Sequence, residues 1–278
     1  MNRQTGSATA VGAAAFRAAH QLFDEGEKLL RDEVILKLLG QESIDHISQR
    51  RDDFFRRGSV AMRTHIILRS RYAEDCLYEA HWRGVRQYLL LGAGVDTFAW
   101  RQPAWAGDLH IIEADQSASQ ANKLRLLKFA GLSHPPNLSF MTIDLETDDL
   151  KKAFEASPVD MTQPVFVSCL GVLIYLQRAT VSRIFRLLGS LPTGSEFVFT
   201  ASVRRWNPFF FLSAARVAAA GEPWLTYFKP AQLEEELKDC GFSRVEWLTA
   251  EGAADRYWTG SSPSLPPPRN CSLVRAVV

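Results

Sequence analysis

Two glycines one residue apart, Gly92 and Gly94, close the short apolar run 87–91 and lead straight into Val95 and Asp96. Glycines at the end of a strand let backbone approach a ligand where a side chain would collide. Asp115 follows about twenty residues later, the spacing at which nucleotide-binding folds set a carboxylate against ribose hydroxyls. Asp144 and Leu145 end another apolar run. At such a strand end a carboxylate can accept from an adenine amino group while a backbone N–H meets a ring nitrogen. Each feature alone has a plainer reading as a tight turn or a solvated strand end. Together, at three strand ends, they point to one nucleoside ligand on Gly92, Gly94, Asp96, Asp115, Asp144 and Leu145.

Arg69 supplies a cation. At 100° per residue it shares a helical stripe with Met62, Ile66, Ala73, Cys76 and Ala80. A guanidinium on an apolar stripe needs a partner, because burying an unpaired charge is costly. A carboxylate on the ligand suits its planar fork, and a salt bridge to Glu74 or Asp75 is the structural alternative. Arg63, about a third of a turn away, is the weaker candidate.

Residues able to act on a second substrate are less sharply marked, and no catalytic residue is assigned. Tyr175 follows the fourth strand and either faces an acceptor or packs. The segment 202–229 is the most aromatic of the chain, and Trp206 and Tyr227 are its candidate acceptor contacts. It reads as a lid over an apolar acceptor, with water exclusion alone or a dimer surface as alternatives. His65, His81 and His110 are possible bases by type, although a lone histidine is more often structural.

These residues require an alternation of strands and helices. Residues 8–39 read as helices, with 13–22 and 29–39 the strongest stretches, and a longer helix spans about 60–82. Strands are expected at 87–91, 109–114, 138–143, 164–170 and 196–201, with helices at 118–129 and 181–188 between them. Pro230 opens a further helix that Gly241 stops. Late strands at 245–248 and 271–278 are expected as a hairpin at the sheet edge, with a proline-rich loop between them. The fold class is α/β, a doubly wound, mostly parallel sheet with N-terminal helices and an aromatic, helical lid. One domain is expected: a helical cap at 1–83, a core at 84–201, a lid at 202–229, and a C-terminal helix and strands at 230–278.

Composition narrows the partners. With 32 basic and 31 acidic residues the net charge is +1, and no long block of one sign appears. That balance disfavours nucleic acid and membrane surfaces and favours a small molecule. The four cysteines form no CxxC pair, so neither a zinc site nor a disulfide framework is expected. No apolar run approaches the roughly 18 residues of a membrane span. Arg17 and His20 interrupt the Ala-rich start before a secretory core develops, so a cytoplasmic location is expected.

The motifs Arg17-Ala-Ala-His20, Arg69-Ser-Arg-Tyr-Ala-Glu-Asp75, LLLGAGVDTFAWR, IEADQS, Ile143-Asp-Leu145, SCLGVLIYL, LPTGSEFVF and GEPWLTYF follow one another along nearly the whole chain. In this set and order the chain resembles the leucine carboxyl methyltransferase superfamily, in particular its bacterial branch. The resemblance implies a seven-stranded, Rossmann-like class I methyltransferase that uses S-adenosyl-L-methionine. It implies donor contacts at Gly92, Asp115, Asp144 and Leu145, with Arg69 on the donor's carboxylate and Arg17 the candidate basic neighbour. It also implies that Leu170-Gly171 lines the adenosine and sulfonium side. The phosphatase-directed branch carries an acid where Leu170 stands, and the bacterial branch commonly a tryptophan where Cys169 stands. The stretch 261–268 replaces a more charged loop. The expected activity is therefore O-methylation of a carboxylate or hydroxyl on a small molecule, such as a secondary metabolite. An NAD-dependent oxidoreductase is the rival, disfavoured because the turn lacks the third glycine of dinucleotide sites. A non-catalytic donor-binding protein is the other.

Overall fold

The computed structural model describes residues 8–203, 215, 218–219, 221–259 and 265–278. Seven strands form one sheet in the order β3-β2-β1-β4-β5-β7-β6: β1 Gln87–Leu91, β2 His110–Asp115, β3 Leu138–Thr142, β4 Val165–Cys169, β5 Glu196–Thr200, β6 Arg244–Leu248 and β7 Leu273–Val277. β1 to β5 pair in parallel, and β7 runs antiparallel to both of its neighbours. Every residue of β1, β4 and β5 is buried, as expected for continuous apolar runs with helices on both faces. The strand order reverses between β1 and β4, and in such sheets the crevice beyond that point receives the ligand.

Side-chain alternation divides the core. Leu89, Leu91, Val165, Val167, Phe197 and Phe199 face one side and pack with α8, Arg178–Gly189, and α9, Pro230–Asp239. Tyr88, Leu90, Phe166 and Val198 face the other and meet Ile67, Leu68, Cys76 and Leu77 of α4, Arg57–Trp82. Three shorter helices precede α4: α1 Ala8–Phe23, α2 Glu33–Gln49 and α3 Arg51–Phe55. The alanines that made α1 a good helix former also let it pack closely. Ala14, Ala18 and Ala19 are fully buried beside Ile35 and Leu38 of α2 and Val95 of the glycine turn. Asp24, just past α1, receives Arg63 through two hydrogen bonds of 2.8 Å, and His20 through another of 2.8 Å. Arg63 is thus a structural anchor between α1 and α4. Met62, expected on the buried stripe, is instead exposed.

Three elements depart from expectation. Leu29 and Leu30 are buried but lie outside any helix, because Asp32 caps α2 by accepting from the Ile35 N–H at 3.2 Å. The late strands are antiparallel neighbours but no tight hairpin: β7 is inserted between β5 and β6, which leaves β6 at the edge. The expected loop between them contains a helix, α10, Ala250–Tyr257, whose N-terminus Thr249 caps by accepting from the Gly252 N–H at 3.0 Å. The remaining helices are α5 Phe98–Arg101, α6 Ser117–Phe129 and α7 Leu150–Glu155. No helix among the described residues is long and apolar enough to cross a membrane.

The ends of α8 and α9 meet through glycines. A Cβ on Gly189 would collide with the Cys240 carbonyl, and Gly241 has a φ of 109°. Backbone cannot yield as a flexible side chain does, so Gly189→Ala is expected to destabilise the fold by about 1–3 kcal/mol in urea unfolding. Gly12→Ala on α1, where a Cβ meets nothing within 4 Å, should be neutral or add up to about 1 kcal/mol.

Candidate active site

The turn after β1 is built on two left-handed glycines, Gly92 at φ 70° and Gly94 at φ 52°. The N–H groups of Gly92 and Ala93 both donate to the Ala114 carbonyl, at 2.8 and 3.2 Å, which ties the turn to β2. A side chain on Gly92 would strike Val172, which follows β4. The turn therefore lies flush against the crevice between β1 and β4.

Asp115 ends β2 and is locked to the turn. One carboxylate oxygen accepts from the Gly94 N–H at 2.6 Å and the other from the Gln116 N–H at 2.7 Å. Burial raises its pKa, and the two backbone donors offset only part of that. Ser119 adds a side-chain hydrogen bond, and the carboxylate keeps a lone pair that can accept from a ligand hydroxyl. Past β3, Asp144 Oδ1 accepts from the Glu146 N–H at 3.0 Å and the Asp144 N–H donates to Asp148 at 2.8 Å. Among the described residues neither Asp144 Oδ2 nor the Leu145 N–H has a partner, although Leu145 is only 7% exposed. A buried donor beside a free carboxylate oxygen matches the edge of an adenine, and buried polar groups are rarely left unpaired.

Arg69 reaches this edge by arithmetic of rise. The 13 residues back from Trp82 to Arg69 span roughly 20 Å, and the five of β1 roughly 17 Å. Because α4 runs antiparallel to β1, Arg69 sits level with the glycine turn. Its guanidinium lies over Gly171, where φ is 75° and a Cβ would occupy its place. Both structural partners suggested by sequence are engaged elsewhere. Glu74 binds Arg101, at 2.8 Å, and Asp75 binds Arg71, at 2.9 Å. Among the described residues Arg69 makes no hydrogen bond or ion pair. Burial lowers its pKa to about 10, with Tyr175 and Asp96 working to raise it and Arg17 to lower it. It is cationic at neutral pH, half-buried and unpaired, which suits a ligand carboxylate.

Arg17 differs. Its guanidinium is buried and taken up by Asp32 at 2.5 Å, Asp96 at 3.2 Å and Thr97 Oγ1 at 2.8 Å. Burial opposes its charge, but Asp32 and Asp96 outweigh that and raise its pKa. Asp96 in turn accepts from the Phe98 N–H at 2.7 Å. Its carboxyl is held below the usual range, because Arg17, Arg101 and Lys123 overcome its burial. Arg17 and Asp96 therefore brace the turn. Asp32 was not singled out as a site residue. Its helix-capping type was visible, but its partners lie far away in sequence.

After β4, Leu170 is half-buried beside Gly171. Tyr175 ends a short 3-10 turn and accepts from Trp224 Nε1 at 3.4 Å. The irregular stretch containing Trp224 and Tyr227 is strapped down by Leu225 and Thr226, whose N–H groups both donate to the Ile174 carbonyl, at 2.7 and 3.2 Å. Tyr227 is half-buried next to them. Trp206 lies outside the described residues. His81 and His110 are far from this edge: they bond Asp108 and Ser139, at 2.7 and 2.9 Å, at the amino ends of the strands. Cys169 is buried in β4, and burial pushes its thiol up to about 12, so it is an inert neutral group.

Comparison with known proteins gives the family and the fold. The family model described as leucine carboxyl methyltransferase matches residues 10–189. A Bacillus subtilis protein, YktD, whose assigned name is that of an S-adenosyl-L-methionine-dependent methyltransferase, is 30% identical over 210 residues, covering 72% of this chain and 67% of its own. A similarly named protein of Mycobacterium avium is 30% identical over 230 residues, covering 79% and 73%. In fold, the chain resembles a DUF574 family protein from Streptomyces avermitilis, with a TM-score of 0.60 at 17% identity, covering 96% and 95% of the two chains. A Thermobifida fusca protein described as a methyltransferase gives a TM-score of 0.56 at 18% identity over 98% and 95%.

Two substitutions probe the cation. Charge-assisted hydrogen bonds contribute about 1.5–3 kcal/mol, so Arg69→Met should weaken S-adenosylhomocysteine binding about 10- to 100-fold in calorimetry. Gly171→Ala displaces the same guanidinium and strains a left-handed residue, so it should lower affinity in the same direction while Arg69 is still present.

Proposed function

The chain belongs to the leucine carboxyl methyltransferase family and is an S-adenosylmethionine-dependent methyltransferase, and on that premise we propose that it methylates an oxygen of a small-molecule acceptor, a carboxylate or hydroxyl of a secondary metabolite. The observation that carries the site assignment is the unpartnered Arg69 guanidinium lying over Gly171 at the strand edge. Arg69 takes the donor's carboxylate, Asp115 the ribose hydroxyls, and Asp144 with the Leu145 N–H the adenine. Gly92 and Gly94 keep the backbone low enough for the nucleoside to pass, and Leu170 lines its apolar side. Arg17 and Asp96 act one step back, by fixing the turn. Tyr175, Tyr227 and Trp206 are assigned to the acceptor side. In this reading the chain is one domain, divided into a cap at 1–83, a core at 84–201, a lid at 202–229 and a C-terminal part at 230–278, and the enzyme works in the cytoplasm.

The bound donor supplies an electrophilic methyl on a sulfonium. The chain's part is alignment and the exclusion of water, which together can lower a barrier by roughly 7–11 kcal/mol. The net charge of +1 and the absence of a one-sign block support a small acceptor over a polyanion.

Incubation with isotope-labelled S-adenosylmethionine and an extract of the source cell, read by mass spectrometry, tests the proposal. Label is expected in one small molecule, and label confined to protein or nucleic acid would overturn it. Asp115→Ala should weaken S-adenosylhomocysteine binding severalfold or more in calorimetry. Unchanged affinity would remove Asp115 from the ribose site.

A further inference from the structure

The face of α4 that presents Arg69 presents His65 one turn earlier, about 6 Å further along the helix axis and so just beyond the carboxyl edge of the sheet. The chain has six histidines. His20, His81 and His110 are hydrogen-bonded to Asp24, Asp108 and Ser139, and His46 and His134 are exposed. His65 is the exception: half-buried, yet with no hydrogen bond or ion pair among the described residues. An enclosed ring whose nitrogens find no protein partner carries a desolvation cost that a substrate can relieve. Its position places it beside the cation that holds the donor.

We propose that His65 is the proton acceptor for methyl transfer to a hydroxyl, so that the acceptor is an alcohol or phenol rather than a carboxylate. The inference rests on the donor site proposed above. A carboxylate is already anionic at neutral pH and has no proton to give up, so an unprotonated imidazole does nothing for it. A hydroxyl needs such a group. As the hydroxyl oxygen forms its bond to the methyl carbon, the carbon–sulfur bond breaks and its electron pair stays on sulfur. The hydroxyl proton passes to an imidazole nitrogen. One positive charge leaves the sulfonium and one appears on the ring.

Burial, and after it the charge of Arg69, pushes the His65 pKa down to about 3, so the ring is in its accepting form at any working pH. Weak basicity is no obstacle, because an oxygen that is gaining a methyl group becomes strongly acidic. The other charged or titratable groups here are Arg17 from α1, Asp96 from the glycine turn and Tyr175 from the turn after β4, and each acts on Arg69. A donor carboxylate on Arg69 offsets the charge that disfavours imidazolium, so donor binding should raise the pKa of His65.

Histidine-labelled protein followed by NMR tests this without an acceptor. The free protein should show His65 neutral at about pH 5. S-adenosylhomocysteine should raise its pKa by about half a unit to one unit, whereas 5′-methylthioadenosine, which lacks the carboxylate, should leave it in place. If calorimetry shows S-adenosylhomocysteine bound and His65 does not respond, this inference falls and the donor site stands. If S-adenosylhomocysteine does not bind, the donor site itself falls. In the labelled-donor assay, His65→Gln should keep S-adenosylhomocysteine affinity within about twofold and lose about 100- to 10,000-fold in transfer to base-stable products. A base-labile ester product, or full transfer by the variant, overturns the proposal.

Discussion

The site depends on one fully buried carboxylate, Asp32. It caps α2, accepts from Thr97 Oγ1 at 2.7 Å, pairs with Arg17 at 2.5 Å and lies 3.6 Å from Arg101. Through these contacts the N-terminal helices are joined to the glycine turn of β1. An uncompensated charge in such a place would cost several kcal/mol, so the cluster is stable only as a whole. Its second consequence is at a distance. Arg17 occupies Asp96, Arg101 occupies Glu74, and Arg71 occupies Asp75, so the acids nearest Arg69 in sequence or space all have other partners. Among the described residues Arg69 is left unpaired because its neighbours are satisfied among themselves.

The topology then brings that cation to the chemistry. The reversal of strand order between β1 and β4 opens a crevice whose two sides are the Gly92 turn and the Gly171 turn. Val172 fills the space that a side chain on Gly92 would take, and Arg69 fills the space above Gly171. Each glycine thus serves close approach and not flexibility. Asp115, hydrogen-bonded to the Gly94 N–H, makes β2 and the turn a single rigid unit, so a ligand meets a preformed edge.

Much of this was legible in sequence because it is local. The glycine pair, the strand-end acids and the helical stripe of Arg69 depend on short spacings, and the parallel sheet followed from buried apolar runs. Contacts made across the chain were not legible. Arg17 reads as a ligand-binding cation until Asp32 and Asp96 are seen to occupy it. Arg63 sits near Arg69 on the helix, but Asp24, 39 residues away in sequence, makes it an anchor. Met62 fits the apolar stripe by angle but is exposed, while its neighbours Arg63 and Thr64 are buried. The helix α10 was hidden by a proline-rich neighbourhood, although Thr249 and the alanines after it carry its signal.

In the proposed function the acceptor side follows a different physical rule from the donor side. Donor contacts sit on strand ends, where backbone position is fixed by the ladder. Acceptor contacts sit on a segment held by hydrogen bonds from Leu225 and Thr226 to the 174–176 turn, by the Phe228 N–H on the Ser202 carbonyl and by the buried Phe228 ring. Cys169, at the end of β4, is fully buried in the core on the α8 face. Its thiol, pushed up to about 12, stays protonated and brings no reactivity of its own. In the proposed function the donor's contacts are therefore set by the sheet itself, and the acceptor's by a segment that packs against the turn after β4.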